Sequence, residues 1–379
     1  MSAPLAGLRI IEIAGIGPGP FCGMMLADHG AEVIRIARPD EGSALSIAAK
    51  DPLLRSRRLI TLDLKKPEAV LVVRRLAENS DGLIEGFRPG VMERLGLGPE
   101  TLLSDNPKLV YGRMTGWGQT GPMAADVGHD INYIAISGAL HAFGEAGGKP
   151  VTPINLVGDF GGGGMMLAFG MLAAILQAQA TGRGQVVDCA MTDGSALLMS
   201  MMWGFRAMGR WGNGRGTNLL DGGAHFYDSY ETADGKWVAI GSIEPQFYKA
   251  LRAVMRLDGT EWDAQFAPAM WTRLKDELAR RFRERSQADW VDAFNGHEAC
   301  FAPVLGFDDA AAHPHNRARG TFVEAGGVVQ PAPAPRYSMS ETVAPVMAGP
   351  AETDAILADY GFSGDEMAAL RESGALGGA

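Results

Sequence analysis

Residues Leu8 to Pro39 read LRIIEIAGIGPGPFCGMMLADHGAEVIRIARP. An Ile-rich run, a Gly- and Pro-rich turn, a helical stretch (MMLADHGAEV) and a second apolar run follow one another. That order is a βαβ unit, the opening of a parallel sheet covered by helices. The pattern repeats down the chain. Helix and strand are read in PEAVLVVRRLAENSDGLIEGF (67–87), a strand in LVYGRMTGWG (109–118), and another in GQVVDCAM (184–191). The expected fold class is α/β, with a large doubly wound Rossmann-like domain whose first part is 1–200. A smaller α+β domain is expected over 225–310, where HFYDSYETADGKWVAIGSI reads as a hairpin turning at Asp234-Gly235. Residues 201–224, ending in the Gly-rich NGRGTNLLDGG, read as a linker. Residues 311–379 read as a return segment packing on the large domain, with DDAAAHPHNRARGTFVE helical and QPAPAP extended.

The chain has 379 residues, long enough for two domains. Its formal net charge of -10 argues against a general nucleic-acid or anionic-membrane surface, so an anionic ligand needs a local basic patch. Three widely spaced cysteines, Cys22, Cys189 and Cys300, give neither a disulfide framework nor metal-ligand spacing, and suit a reducing cytoplasm. No metal site is expected. The longest apolar run, Met165 to Leu176, reads as too short to span a bilayer. No membrane partner is expected.

Gly17, Gly19 and Gly23 nearly spell a dinucleotide fingerprint. Pro18 and Pro20 delete N–H groups that a pyrophosphate cradle needs, and the second strand ends in Ala37-Arg38-Pro39 with no acid for a ribose. A nicotinamide cofactor is therefore not expected; Arg38 suits a phosphate instead. The densest basic run, LLRSRRLITLDLKK (53–66), carries Arg55, Arg57, Arg58, Lys65 and Lys66. It is either a solvated face or a phosphate site. Arg88 follows the strand DGLIEGF, at the sheet edge where α/β proteins bind ligands.

The segment NLVGDFGGGG (155–164) precedes the long apolar helix at about 165–180. Asp159 reads as sitting in a tight turn, as a helix N-cap, with four glycines free to take positive φ and to approach a ligand. The N–H groups around Asp159 and Phe160 read as an anion hole. A capped buried helix explains the same residues. His129 and Tyr133, four apart, share a helix face, and His129 stands at the helix start. A lone histidine there is either a cap or a base. Glu244 lies at a strand-to-helix junction, where dipole compensation is an ordinary role. Met199, Met201, Met202 and Met208 read mainly as core packing.

The motifs GLRIIEIAGIGPGPFCGMMLADHGAEVIRI, IEGFRPGVMERLGLG, MTGWGQTGP, GHDINYIA, NLVGDFGGG, GQVVDCAM and DAAAHPHNRARG occur in this order. Together they resemble the family III CoA-transferase and racemase superfamily over nearly the whole chain. GHDINYIA, NLVGDFGGG and IEPQFY resemble its α-methylacyl-CoA racemase branch. The resemblance implies an interlocked homodimer, with each active site between the large domain of one subunit and the small domain of the other. It implies His129 with Glu244 as one base, and Asp159 with Asp130 and Tyr133 nearby as the other. It implies Arg38, Arg58 and Arg88 at the CoA moiety, with Asn155 and Gly158 beside the substrate. The expected activity interconverts (2R)- and (2S)-2-methylacyl-CoA thioesters by proton transfer through an enolate. It needs no cofactor beyond the coenzyme A of the substrate itself. The alternative within the superfamily is a CoA-transferase with Asp159 as nucleophile. That enzyme would want a glycine-rich loop where this chain has GSIEPQF.

Overall fold

In the computed structural model, residues 2–39 and 49–376 are described. The chain forms two compact units: residues 1–137, 154–198 and 320–379 in the first, 138–153 and 199–319 in the second.

The first unit is built on six parallel strands: β1 (Arg9–Ile13), β2 (Glu32–Ala37), β3 (Arg58–Thr61), β4 (Gly82–Glu85), β5 (Val110–Thr115) and β6 (Val186–Ala190). Their order is β3-β2-β1-β4-β5-β6, so the winding direction reverses between β1 and β4. Alternate residues of each strand feed opposite cores. Ile11, Ile34, Ile60 and Leu83 pack on one face, against Val72 and Leu76 of the helix Pro67–Glu78 and against Ile356, Leu357 and Leu370 of the returning chain. Ile10, Val33, Ile84 and Val110 pack with Leu26, Leu167, Met171 and Ile175. Helices on both faces are what a parallel sheet requires.

Helix α1 (Pro18–Asp28) starts at Gly17, with Pro18 at its first position, where a missing N–H costs nothing. Helix α2 (Pro67–Glu78) crosses to β4. Helix α3 (Asp130–Ile136) follows the β5 tail. A π-helix (Leu156–Met165) then runs without a break into α4 (Met166–Thr181), and α5 (Met191–Leu198) follows β6. The combined helix Leu156–Thr181 has 26 residues and is, by length and composition alone, long enough to cross a bilayer. The shorter apolar run read from the sequence misses this, because the π-helical glycines extend the helix upstream. The inner face of α4 lies in the sheet core through Leu167, Met171, Ala174 and Ile175. Thr321–Glu324, read as helical, instead supplies Phe322–Ala325, which pairs with Val328–Pro331 in an antiparallel hairpin.

The longer part of the second unit carries α6 (Ser200–Ala207), almost all of it inside the stretch read as linker. Its sheet is β7 (Tyr227–Glu231), β8 (Trp237–Gly241) and β9 (Phe301–Val304), all antiparallel. Helices α7 (Pro245–Met255), α8 (Pro268–Phe282) and α9 (Gln287–Phe294) cover it, through Tyr248, Leu251, Leu274, Phe282 and Trp290.

Candidate active site

Ligands in open α/β sheets bind beyond the carboxyl ends of the strands, where the winding reverses. The first unit has a cavity of about 1210 Å³ at that place. Its walls are the tails of β1 (Ile13 to Pro20), β4 (Ile84 to Pro89) and β5 (Met114 to Trp117), together with the start of α3 and the first turn of the π-helix. His129, Tyr133, Asn155, Asp159 and Arg88 all line it.

His129 is the N-cap of α3. Its backbone N–H donates to Asn132 Oδ1 at 3.0 Å, and its exposed imidazole faces the cavity. Asp159 lies one turn into the π-helix, half-buried. Its Oδ2 accepts from Asn155 Nδ2 at 3.0 Å. Burial raises its pKa above the usual carboxylate range. The Asn155 bond opposes this, the charge of Asp130 adds to it, and His129 lowers it. A carboxyl held above its usual range by burial, on the same cavity as an imidazole, gives the site two groups of the type that carry protons. Tyr133 is buried edge-on against Trp117, with ring centroids 4.8 Å apart, and its hydroxyl donates to Gly128 O. Burial, then the Asp159 charge, pushes its pKa up, so it stays a neutral phenol.

Four expectations need correction. First, Asp159 is not an N-cap in a tight turn. The Phe160 N–H donates five residues back to Asn155 O at 3.3 Å, the hydrogen bond of a π-helix. None of Gly161 to Gly164 has positive φ. They are bare because the backbone is packed on both sides. A Cβ on Gly162 would fall 2.5 Å from Ser195 N, and one on Gly164 2.8 Å from Pro18 O.

Second, the anion hole read at Asp159 and Phe160 is already filled. The Asp159 N–H donates to Asp130 Oδ2 at 2.8 Å, and the Phe160 N–H closes the π turn. Third, Asp130 and Gly158 do not line the cavity. Asp130 is buried, and its Oδ2 also accepts the Gly158 N–H at 2.6 Å. Gly158 is bare because a Cβ would fall 2.4 Å from that oxygen. The two residues anchor the turn that presents Asp159.

Fourth, the basic run 53–66 lines no part of the cavity except at Leu53; the solvated-face reading holds for the exposed Lys65 and Lys66 but not for the arginines. Arg55 and Arg57 are buried against Asp28 and Glu12, at 2.5 and 2.7 Å. Arg58 begins β3 and reaches to Glu32, Glu352 and Asp359, at the amino end of the sheet. The structure does not bring it to the cavity. Arg38, exposed just after β2, shares the carboxyl edge with Arg88. Glu244 is exposed at the N-cap of α7 in the second unit and makes no capping bond there.

The sequence picked out Gly17 only within a near dinucleotide fingerprint, and Glu85 not at all. Gly17 forms the wall beside Asp159. Glu85 lies beneath the cavity, where one oxygen accepts from Arg113 at 3.0 Å and the other from the Phe87 N–H at 2.7 Å. That bond fixes the turn carrying Arg88.

Residues 5–353 match the family described as CoA-transferase family III. The chain is 45% identical to alpha-methylacyl-CoA racemase of Mus musculus over 370 residues, covering 97% of this chain and 96% of that protein. Identity to the Mus musculus succinyl-CoA:glutarate CoA-transferase is 29%, over 91% of this chain and 84% of that one. The crystal structure of a CAIB/BAIF family protein from Brucella suis superposes with a TM-score of 0.81 at 25% identity, covering 95% of this chain and all of that one.

Proposed function

Since the chain belongs to CoA-transferase family III, we propose that it is an α-methylacyl-CoA racemase, interconverting (2R)- and (2S)-2-methylacyl-CoA thioesters. The observation that carries the reading is the pair His129 and Asp159 on one cavity wall system, in a chain nearly half identical to a racemase. Racemisation next to a thioester carbonyl removes a proton from one face and returns one to the other. It therefore needs two groups that each hold or release a proton. His129 serves one face and Asp159 the other. When one takes the α-proton, the electron pair moves into the thioester carbonyl and a planar enolate forms. The other group then protonates the opposite face.

The enolate oxygen needs a donor. With the Asp159 N–H committed to Asp130, Asn155 takes this part: it lines the cavity and its amide has a second hydrogen beyond the one given to Asp159. Arg88, with Arg38, meets the phosphates of the CoA moiety. Glu244 orients the His129 imidazole, contributed across a homodimer as the family resemblance implies. No cofactor beyond the substrate's own coenzyme A enters the scheme. The proposal places the enzyme in the cytoplasm, which suits its three unpaired cysteines.

The test is solvent exchange. In deuterium oxide, pure enzyme with either 2-methylacyl-CoA epimer should incorporate α-deuterium and converge on the mixture of both. Asp159→Ala should lose at least ~100-fold in that rate. Acyl exchange onto a free carboxylic acid, with no inversion, would instead assign Asp159 as a transferase nucleophile.

A further inference from the structure

Asn155 and Gly17 both meet Oδ2 of the Asp159 carboxylate, Asn155 by donating to it and Gly17 by standing close beside it. A Cβ on Gly17 would stand 3.0 Å from Oδ2 and 3.5 Å from Cγ of Asp159. Gly17 also has φ +66°, where side chains are strained. Its position is set from below by a carboxylate that takes no part in proton transfer. Glu12 is fully buried in β1 and stands opposite Arg35 in the β1–β2 register. One Glu12 oxygen accepts from Arg35 Nη1, and the other from Arg57 Nε at 2.7 Å. Both arginines pass the connection on. Arg35 Nη2 donates to Gly15 O at 3.2 Å, and Arg57 donates to Pro20 O and Leu53 O. The Gly15–Pro20 loop is thus gripped at both ends, with Gly17 between the grips. Gly23 leaves the room for this: a Cβ there would fall 2.2 Å from Glu12 Oε2. A buried Arg–Glu–Arg cluster is weak evidence for stability, since desolvation offsets much of its attraction. Here both guanidinium groups spend their remaining hydrogens on the backbone of one cavity wall.

We propose that Gly17 is a positioning residue: the Arg35–Glu12–Arg57 cluster holds its bare Cα against Asp159 and so fixes where that carboxylate points. The inference rests on Asp159 being a reacting group. A methyl at this position excludes water from the carboxylate and pushes it off Asn155, and both changes favour the neutral acid. Reacting groups displaced by about 1 Å lose up to about 100-fold in rate.

The test compares Gly17→Ala with the parent and with Gly7→Ala. Gly7→Ala likewise puts a side chain at positive φ, +93°, with nothing within 4 Å, and Gly7 does not line the cavity. In enzyme labelled with 13C at the aspartate carboxyl, the Asp159 signal is identified by its loss in Asp159→Asn. Its titration midpoint should move up in Gly17→Ala and stay put in Gly7→Ala. For racemisation, kcat should fall about tenfold or more with KM within about twofold, and the acidic limb of kcat/KM should move to higher pH. An unchanged midpoint and kcat in folded Gly17→Ala overturns the inference. A shifted midpoint in a chain whose parent shows no α-proton exchange upholds it and overturns the racemase reading.

Discussion

Asp130 shows how a residue's job differs from its neighbourhood. The family resemblance gave it a share in the chemistry, near Asp159. Buried, with two backbone N–H groups on one oxygen, it serves instead to hold Gly158 and Asp159 in place. It also acts at a distance, since its negative charge raises the pKa of Asp159. Asp130→Asn keeps an acceptor oxygen and removes the charge. Asp159 should then ionise at lower pH, and because the base form of Asp159 is its carboxylate, the acidic limb of the kcat/KM profile should move to lower pH. Asp130→Ala leaves two buried N–H groups unmatched and should cost about 1–3 kcal/mol for each, read by urea unfolding, with loss of turnover. His129 was legible because it stands at a helix start, and Asp159 because of the glycines around it. The bonds of Asp130 were not, because their donors lie 28 and 29 residues away and meet it only in the fold.

At the scale of elements, strands and long helices were legible from their apolar periods, and the π-helix was not. Its five-residue spacing follows from four glycines pressed between α1 and α5, a tertiary cause with no local period. Gly194 of α5 and Gly162 of the π-helix meet backbone to backbone: a Cβ on Gly194 would fall 1.9 Å from Gly162 O. Gly194→Ala should therefore destabilise the protein by about 1–3 kcal/mol and lower its calorimetric midpoint, moving Asp159 with it. The basic run failed for a related reason. Charge density alone says nothing of burial, and the carboxylates that receive Arg55 and Arg57 come from α1 and β1. In the second unit, His225 is enclosed by Phe226, Tyr248 and Trp262, and its Nε2 lies 2.8 Å from the Tyr248 hydroxyl. Burial pushes its pKa down to about 4. The folded chain keeps it neutral while the unfolded chain protonates it near pH 6.5. Stability should thus be complete above that pH, fall as pH drops toward 4, and lose no more from this group below it. Urea unfolding at pH 7 and pH 5 checks the sign: His225→Phe should flatten the difference.

For the whole molecule, the two-unit division was visible as a change from parallel βαβ text to hairpin text. Its boundaries were blurred because residues 138–153 join the second unit out of sequence order. What the periodicity also left open is the outer face of α4. Met165, Phe169 and Leu176 are 52%, 71% and 70% exposed, spaced four and seven apart on one side of a helix whose opposite side is core. On α6 of the second unit, Met201 and Trp203 are exposed as well, with Met208 just beyond its end. Met201 and Met208 are surface, where the sequence suggested packing, while Met199 and Met202 are partly buried. Clustered exposed apolar side chains mark a partner surface more often than a solvated one. A bilayer would suit the length of the helix, but half of it is already spoken for by the sheet, and a net charge of -10 repels anionic lipid. A second copy of the chain fits the proposed homodimer. Sedimentation equilibrium should then give twice the 40.2 kDa chain mass. Phe169→Glu with Leu176→Lys, both on the outward face, should shift the mass toward a single chain while the far-UV circular dichroism stays unchanged. A parent that sediments as one chain, or that floats with anionic vesicles through this face, would remove the dimer from the proposal. In the first case racemase activity that does not vary with protein concentration would follow.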